Sequence, residues 1–266
     1  MSSVQKRKEP ITDKSDVKKK GKYDDVSVAL DQILLFGDSI TQQGFGLDRS
    51  GFAASLQNAY IRKVDIINRG LSGYNTRWCL KVVDQVLSSI ERKHPTKTLL
   101  TILFLGANDS VVDGVQTVPL EEYKQNLIEL CTKIQSVSPV LLITPPPVDG
   151  AKWTDRTLSN TKMYRDACIG VAEELSVDYV DTWKEFLGNS LKFEQKLADE
   201  LFDDGLHLAS KANKLLYVAI IRKIKSKFPL LHPDILQPTL PWWADIDPDN
   251  VQESLLKLAK RVNKQH

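Results

Sequence analysis

At 266 residues, 42% hydrophobic and 26% charged, the chain has an ordinary globular composition and is long enough for one sizeable domain with a tail at each end. Its formal charge of +2 gives no electrostatic case for nucleic acid or an anionic membrane, so neither is an expected partner. No apolar run approaches the roughly 18 residues a membrane span needs, and the N-terminus lacks the apolar core of a secretory signal, which makes the cytoplasm the expected location.

Residues 1–29 are rich in Lys and poor in aromatics, with Lys18-Lys19-Lys20 at their centre, and are expected to form a disordered basic arm. Such an arm reads either as a nuclear-import or RNA-contacting run or as a plain solvated leader. The folded domain is expected over 30–228, followed by a tail over 229–266.

From residue 31 strand and helix patterns alternate. The unbroken apolar run at 33–36 suits a parallel strand covered on both faces, and Gly37 lets the chain turn sharply after it. Phe52, Leu56 and Ala59 or Tyr60 recur at helical spacing, and 64–67 is a second strand. Trp78, Val82, Val86 and Ile90 mark the next helix face, and 98–105 is the third strand. Pro119 suits a first helical position, with Glu121 and Glu122 placed to complement the helix dipole and Leu120, Tyr123, Leu127, Leu130 and Ile134 forming one apolar face.

A fourth strand at 140–143 is stopped by Pro145-Pro146-Pro147. A helix carrying Tyr164, Ala167, Cys168, Val171 and Leu175 leads to a short fifth strand at 178–180, and the last core helix carries Leu215, Leu216, Ala219, Ile220 and Ile224. Cys79, Cys131 and Cys168 fall within these helical patterns without CxxC spacing and read as buried reduced thiols. The alternation implies a mainly parallel sheet between helix layers, with ligands at the carboxyl ends of the strands.

Three turns fall at such ends: Gly37-Asp38-Ser39, Gly70-Leu71-Ser72-Gly73 and Gly106-Ala107-Asn108-Asp109. A fourth segment, Asp203-Asp204-Gly205-Leu206-His207-Leu208, precedes the last core helix. A serine hydroxyl is a poor nucleophile at neutral pH and needs a base titrating near neutrality, which points to His207 acting on Ser39. The imidazole needs a carboxylate to orient it, and Asp204 is three residues away on the same loop. Of the other histidines, His266 is terminal, His232 lies in a Pro-rich tail and His94 precedes Pro95. Developing negative charge on a carbonyl oxygen needs fixed donors, and the backbone N–H groups of Ser39 and Gly73 with the Asn108 carboxamide are the natural set.

These blocks, in this order, resemble the SGNH (GDSL-type) hydrolase superfamily, and Asn68-Arg69-Gly70-Leu71-Ser72-Gly73-Tyr74-Asn75-Thr76-Arg77-Trp78 resembles its isoamyl acetate-hydrolysing esterase branch. The resemblance spans about 31–245. It implies an α/β/α sandwich on a flavodoxin-like five-stranded sheet, no cofactor, and a serine esterase acting on small acetate-type esters. Ser39 would be the nucleophile, His207 the base and then the acid, Asp204 rather than Asp203 its orienting group, and Ser39, Gly73 and Asn108 the oxyanion hole. Deacetylation of a carbohydrate or lipid, acyl transfer, or binding without catalysis would use the same scaffold.

Ser72 and Ser110 are competing hydroxyls, but no G-x-S-x-G elbow frames either. Asp38 reads as fixing its turn through backbone hydrogen bonds. No H-E-x-x-H or clustered Cys/His set supplies a metal site, so activity is expected to survive chelation. The loop from Pro145 to Thr154 with Trp153, and Leu71 or Tyr74, are expected to pack on the core or line an acyl pocket. In the tail, Trp242 and Trp243 are expected as anchors, and Val251, Leu255, Leu258, Ala259 and Val262 predict a terminal amphipathic helix docking on a monomer or across a homodimer.

Overall fold

The structure is a computed structural model and describes residues 29–90 and 96–255. The expected N-terminal arm, apart from Ala29, lies outside the described residues, as does His94. Residues 251–255 are helical, and the rest of the expected terminal helix is likewise outside them.

Strands β1 (Gln32–Gly37), β2 (Asp65–Gly70), β3 (Thr98–Phe104), β4 (Val140–Ile143) and β5 (Asp178–Val180) form one five-stranded sheet in the order β2-β1-β3-β4-β5, every neighbouring pair parallel. Every residue of β1 and β4 is buried, as an apolar run covered on both faces requires. The helices are α1 (Ser39–Gln42), α2 (Phe52–Ala59), α3 (Thr76–Ile90), α4 (Leu120–Gln135), α5 (Leu158–Glu174), α6 (Thr182–Leu187), α7 (Gln195–Leu201) and α8 (Ser210–Lys227).

Side chains alternate across the sheet. Ile33 and Leu35 join one core with α2, α6, α7 and α8, whereas Leu34 and Phe36 join another with α3, α4 and α5. This is the expected three-layer α/β/α sandwich with the flavodoxin-like strand order. From β1 the chain goes to β2 on one side and to β3 on the other, so the crevice beyond β1 is the place where such sheets bind ligands.

Several local expectations need correction. Along α3 the buried face is Cys79, Val83, Val86, Leu87 and Ile90, one residue out of phase with Trp78 and Val82, which are half-buried. Pro119 caps α4 in an extended conformation rather than opening it, its carbonyl accepting the Tyr123 N–H at 2.8 Å, while Glu121 and Glu122 do occupy the first turn. The short helices α1, α6 and α7 had no periodic signal to announce them.

Two compact units divide the chain. The unit Ala29–Thr239 extends past α8, where a single 3-10 turn over Pro229–Leu231 is held by the Tyr60 hydroxyl donating to the Leu231 carbonyl at 2.8 Å and by the Thr239 N–H donating to Arg62. The stretch from Leu240 belongs to the other unit. There Trp242 and Trp243 are exposed, with ring centroids 6.4 Å apart.

Candidate active site

The first turn is shaped by crowding. A Cβ at Gly37 would collide with the Thr41 hydroxyl and the Phe104 carbonyl oxygen, so glycine is required by close approach and not, as the sequence suggested, by the turn's dihedral angles. Asp38 caps α1, its Oδ1 accepting the Ile40 N–H at 2.9 Å, which is the turn-fixing role read for it. Ser39 follows as the first residue of α1 and is 5% exposed.

The late loop between α7 and α8 is self-organised. Asp204 Oδ1 accepts the backbone N–H groups of Leu206 at 3.0 Å and His207 at 2.8 Å, an Asx turn that places the imidazole. Gly205 has φ +92°, and a Cβ there would press on the Asp149 and Lys152 side chains, so a side chain at this position is strained. An antiparallel bridge between Phe202 and Leu208 closes the loop.

His207 then spans the two segments. Its Nδ1 lies 2.6 Å from Asp204 Oδ2 and its Nε2 2.9 Å from Ser39 Oγ. A carboxylate can only accept, so Nδ1 carries the ring proton and donates to Asp204, leaving the Nε2 lone pair to accept the Ser39 hydroxyl. Burial pushes the Asp204 carboxyl up, but the bonds from the His207 ring and from the His207 and Leu206 backbone outweigh it and hold the group below its ordinary range. Asp203, the rival acid, instead pairs with Arg49 at 3.1 Å.

The remaining turns meet beside Ser39, as the strand order dictates. The Leu71 N–H donates to the Gly37 carbonyl at 2.8 Å, and Asn108 Nδ2 donates to the Tyr74 carbonyl at 2.8 Å. Gly73 has φ +79°. Its N–H and that of Ser39 have no hydrogen-bond partner among the described residues, and Asn108, with two amide hydrogens, keeps one for another acceptor. Ser110 is buried, its hydroxyl donating to the Ala107 carbonyl and facing Thr161, whereas Ser72 is exposed with its N–H on Gln42 Oε1.

The chain matches the GDSL-like Lipase/Acylhydrolase family over residues 35–215. It belongs to that family. The GDSL motif of this family member is the Gly37-Asp38-Ser39-Ile40 turn just described. A GDSL esterase/lipase of Arabidopsis thaliana is 35% identical over 244 residues, covering 84% of this chain and 97% of that one. The isoamyl acetate-hydrolyzing esterase of Saccharomyces cerevisiae is 34% identical over 239 residues, covering 81% and 95%. Among solved structures, a lipase/acylhydrolase from Enterococcus faecalis superimposes with a TM-score of 0.60 at 24% identity, covering 79% of this chain and 98% of that one. The isoamyl acetate esterase-like resemblance is thereby borne out, and the chain is a carboxylic ester hydrolase.

Arg156, which also reaches the site of this GDSL hydrolase, carried no sequence signal. Arg156 is buried and its Nη2 donates to Asn108 Oδ1 at 3.1 Å. Asp109 accepts the N–H and hydroxyl of Thr76, and burial pushes its carboxyl up to about 6. Burial likewise pushes Asp38 up to about 7, against the lowering effect of the Ile40 N–H. Trp153, expected on the core or at an acyl pocket, packs on the core and also meets the His207 ring edge-on at 6.4 Å, its Nε1 donating to the Asp204 carbonyl at 2.8 Å. Leu71 and Tyr74 are half-buried against the second core. A surface depression of about 370 Å³ beside α2 and Tyr217 is lined by none of these residues. Among the described residues no cluster of His, Cys, Asp and Glu is arranged to hold a metal ion, and no helix is long and apolar enough to cross a membrane.

Proposed function

We propose that the chain hydrolyses small, short-chain, acetate-type esters through an acyl-enzyme on Ser39. One observation carries the reading: the Ser39 hydroxyl, the His207 ring and the Asp204 carboxylate form a continuous hydrogen-bonded line of 2.9 and 2.6 Å. Ser39 Oγ attacks the acyl carbonyl while Nε2 takes its proton, and Asp204 stabilises the imidazolium that results. The tetrahedral oxyanion meets the N–H groups of Ser39 and Gly73 and the free amide hydrogen of Asn108. On collapse, His207 returns the proton to the departing alcohol, and water repeats the cycle to release the acid.

The substrate class rests on the relatives, among them the yeast isoamyl acetate-hydrolyzing esterase and a human homologue that is 34% identical and covered over 92% of its length. Three free buried cysteines suit a reducing compartment such as the cytoplasm. The test is stoichiometric labelling of Ser39 by a fluorophosphonate, together with hydrolysis of isoamyl acetate beside acetylated xylo-oligosaccharides. A folded chain that takes no label would overturn the acyl-enzyme, and turnover of the sugar esters alone would replace alkyl acetates by carbohydrate substrates.

A further inference from the structure

Arg156 places a guanidinium where charge is rare, 3% exposed in the loop before α5. All its donors are engaged. Nε donates to the Ala107 carbonyl at 3.4 Å, and Nη1 to the Asp155 carboxylate oxygens at 2.9 and 2.8 Å. Nη2 donates to Asn108 Oδ1 at 3.1 Å and to Gln116 Oε1 at 3.4 Å. The guanidinium carbon lies 4.6 Å from the centroid of the Trp153 ring. Gln116 in turn donates from Nε2 to the Gly73 carbonyl at 2.7 Å. The same guanidinium thus touches Asn108 directly, the Gly73 carbonyl through one side chain, and the Asp204–His207 loop through Trp153.

Resting on the serine-esterase reading above, we propose that Arg156 is a positioning residue for the oxyanion donors, aiming the Asn108 carboxamide and, through Gln116, bracing residue Gly73 by its carbonyl. An asparagine amide presents nearly the same shape when turned over, and the wrong orientation would aim its oxygen at a developing oxyanion. A guanidinium has no acceptor, so it can face only Oδ1. With the Tyr74 carbonyl accepting Nδ2 on the opposite side, the amide is clamped in the donating sense. Donors fixed before reaction need no reorganisation when charge appears, which is where their catalytic value arises. The planar fork of arginine reaches Asn108, Gln116 and Asp155 together, whereas lysine offers a single point of charge.

The variants Arg156→Gln, Arg156→Lys and Gln116→Met test this. Each is titrated to completion with a fluorophosphonate, so that kcat on isoamyl acetate is expressed per reactive serine, and KM and melting temperature are measured alongside. Removing one oxyanion donor costs about 100- to 1,000-fold, so loosening them in Arg156→Gln is expected to lower kcat per titrated site by about 10- to 100-fold with KM little changed. Arg156→Lys recovers part of that loss, and Gln116→Met, which breaks only the Gly73 arm, loses several-fold. A purely structural arginine would lower the melting temperature and the number of titratable sites while leaving kcat per site at the wild-type value, and that result overturns the proposal. Should the Arg156 variants fail to fold, wild-type kcat in folded Gln116→Met overturns it as well. Absence of label on the unmodified chain would instead remove the serine-esterase reading, and this inference with it.

Discussion

The aspartates of the first and last motifs live under opposite conditions. Asp38, beside Ser39, is 1% exposed, accepts the Ile40 N–H on Oδ1, and leaves its Oδ2 without a partner among the described residues. Asp204 is half-exposed and has three donors, from Leu206 N–H, His207 N–H and His207 Nδ1. Burial therefore pushes Asp38 up to about 7, while the donors hold Asp204 below its ordinary range despite its partial burial. An acid that must stay ionised beside an imidazolium is better served by water and backbone N–H groups than by proximity to the nucleophile. Asp38 thus shapes its turn, and in the proposed mechanism Asp204 is the acid that orients His207.

The strongest way to break this division is to remove the working line. Ser39→Ala or His207→Ala is expected to lower kcat by at least about 10⁴-fold with the melting temperature little changed, since residues acting as a unit lose nearly everything when one goes. Asp204→Asn keeps the Oδ1 acceptor for the Asx turn but loses the charge that fixes the ring proton on Nδ1, so a loss of about 10²- to 10⁴-fold in kcat is expected from steady-state assays. Asp38→Asn, made in parallel, should lose far less, because an asparagine oxygen caps Ile40 as well as an aspartate oxygen does. Equal losses in the two asparagine variants would erase the distinction.

The second test concerns stability and runs the other way. In the folded state Asp38 holds its proton up to about 7, against an ordinary value of 3.8, with Asp109 raising and Arg156 lowering it as neighbours. A raised carboxyl gives stability that is fully present below the unfolded value and is lost as pH rises through the folded one. Asp38→Asn abolishes that dependence. Its urea midpoint relative to wild type should therefore climb between about pH 4 and about pH 7 and stay level above that. A difference that does not vary over this window would mean that Asp38 is not held protonated.

The same contrast explains what the sequence disclosed. The turn at Ser39 and the Asp204–His207 loop are local, with their key bonds spanning two or three residues, so motif spacing carries them. The alternating patterns announce a parallel sheet, and its strand order, which the family resemblance implied, puts the three glycine turns at adjacent strand ends. Arg156, Gln116 and Trp153 join the site across separations of 40 to 51 residues, which leave no periodic mark, and Asp155-Arg156 reads locally as an ordinary charged loop. For α3 the difficulty was phase: Trp78 and Val82 are as apolar as Cys79 and Val83, and only packing against the sheet chooses between them. Helices α1, α6 and α7, of four, six and seven residues, are too short for a helical period to repeat convincingly.

The smallest expected effect sharpens the comparison between acids one residue apart. Asp203 shares the late loop with Asp204, but its side chain turns to Arg49 at 3.1 Å and is 43% exposed. An ion pair this open to solvent contributes between nothing and about 1 kcal/mol, and salt screens it. Asp203→Asn is therefore expected to shift the urea midpoint marginally, with the shift vanishing at high salt, and to leave kcat within about twofold of wild type. The loop itself should persist, because its closing bond runs from the Asp203 backbone N–H to the His207 carbonyl at 2.9 Å and does not involve the side chain. A loss of activity comparable with that of Asp204→Asn would show that the carboxylates exchange roles, and that the orienting acid belongs to the Asp203-Asp204 pair rather than to Asp204 alone.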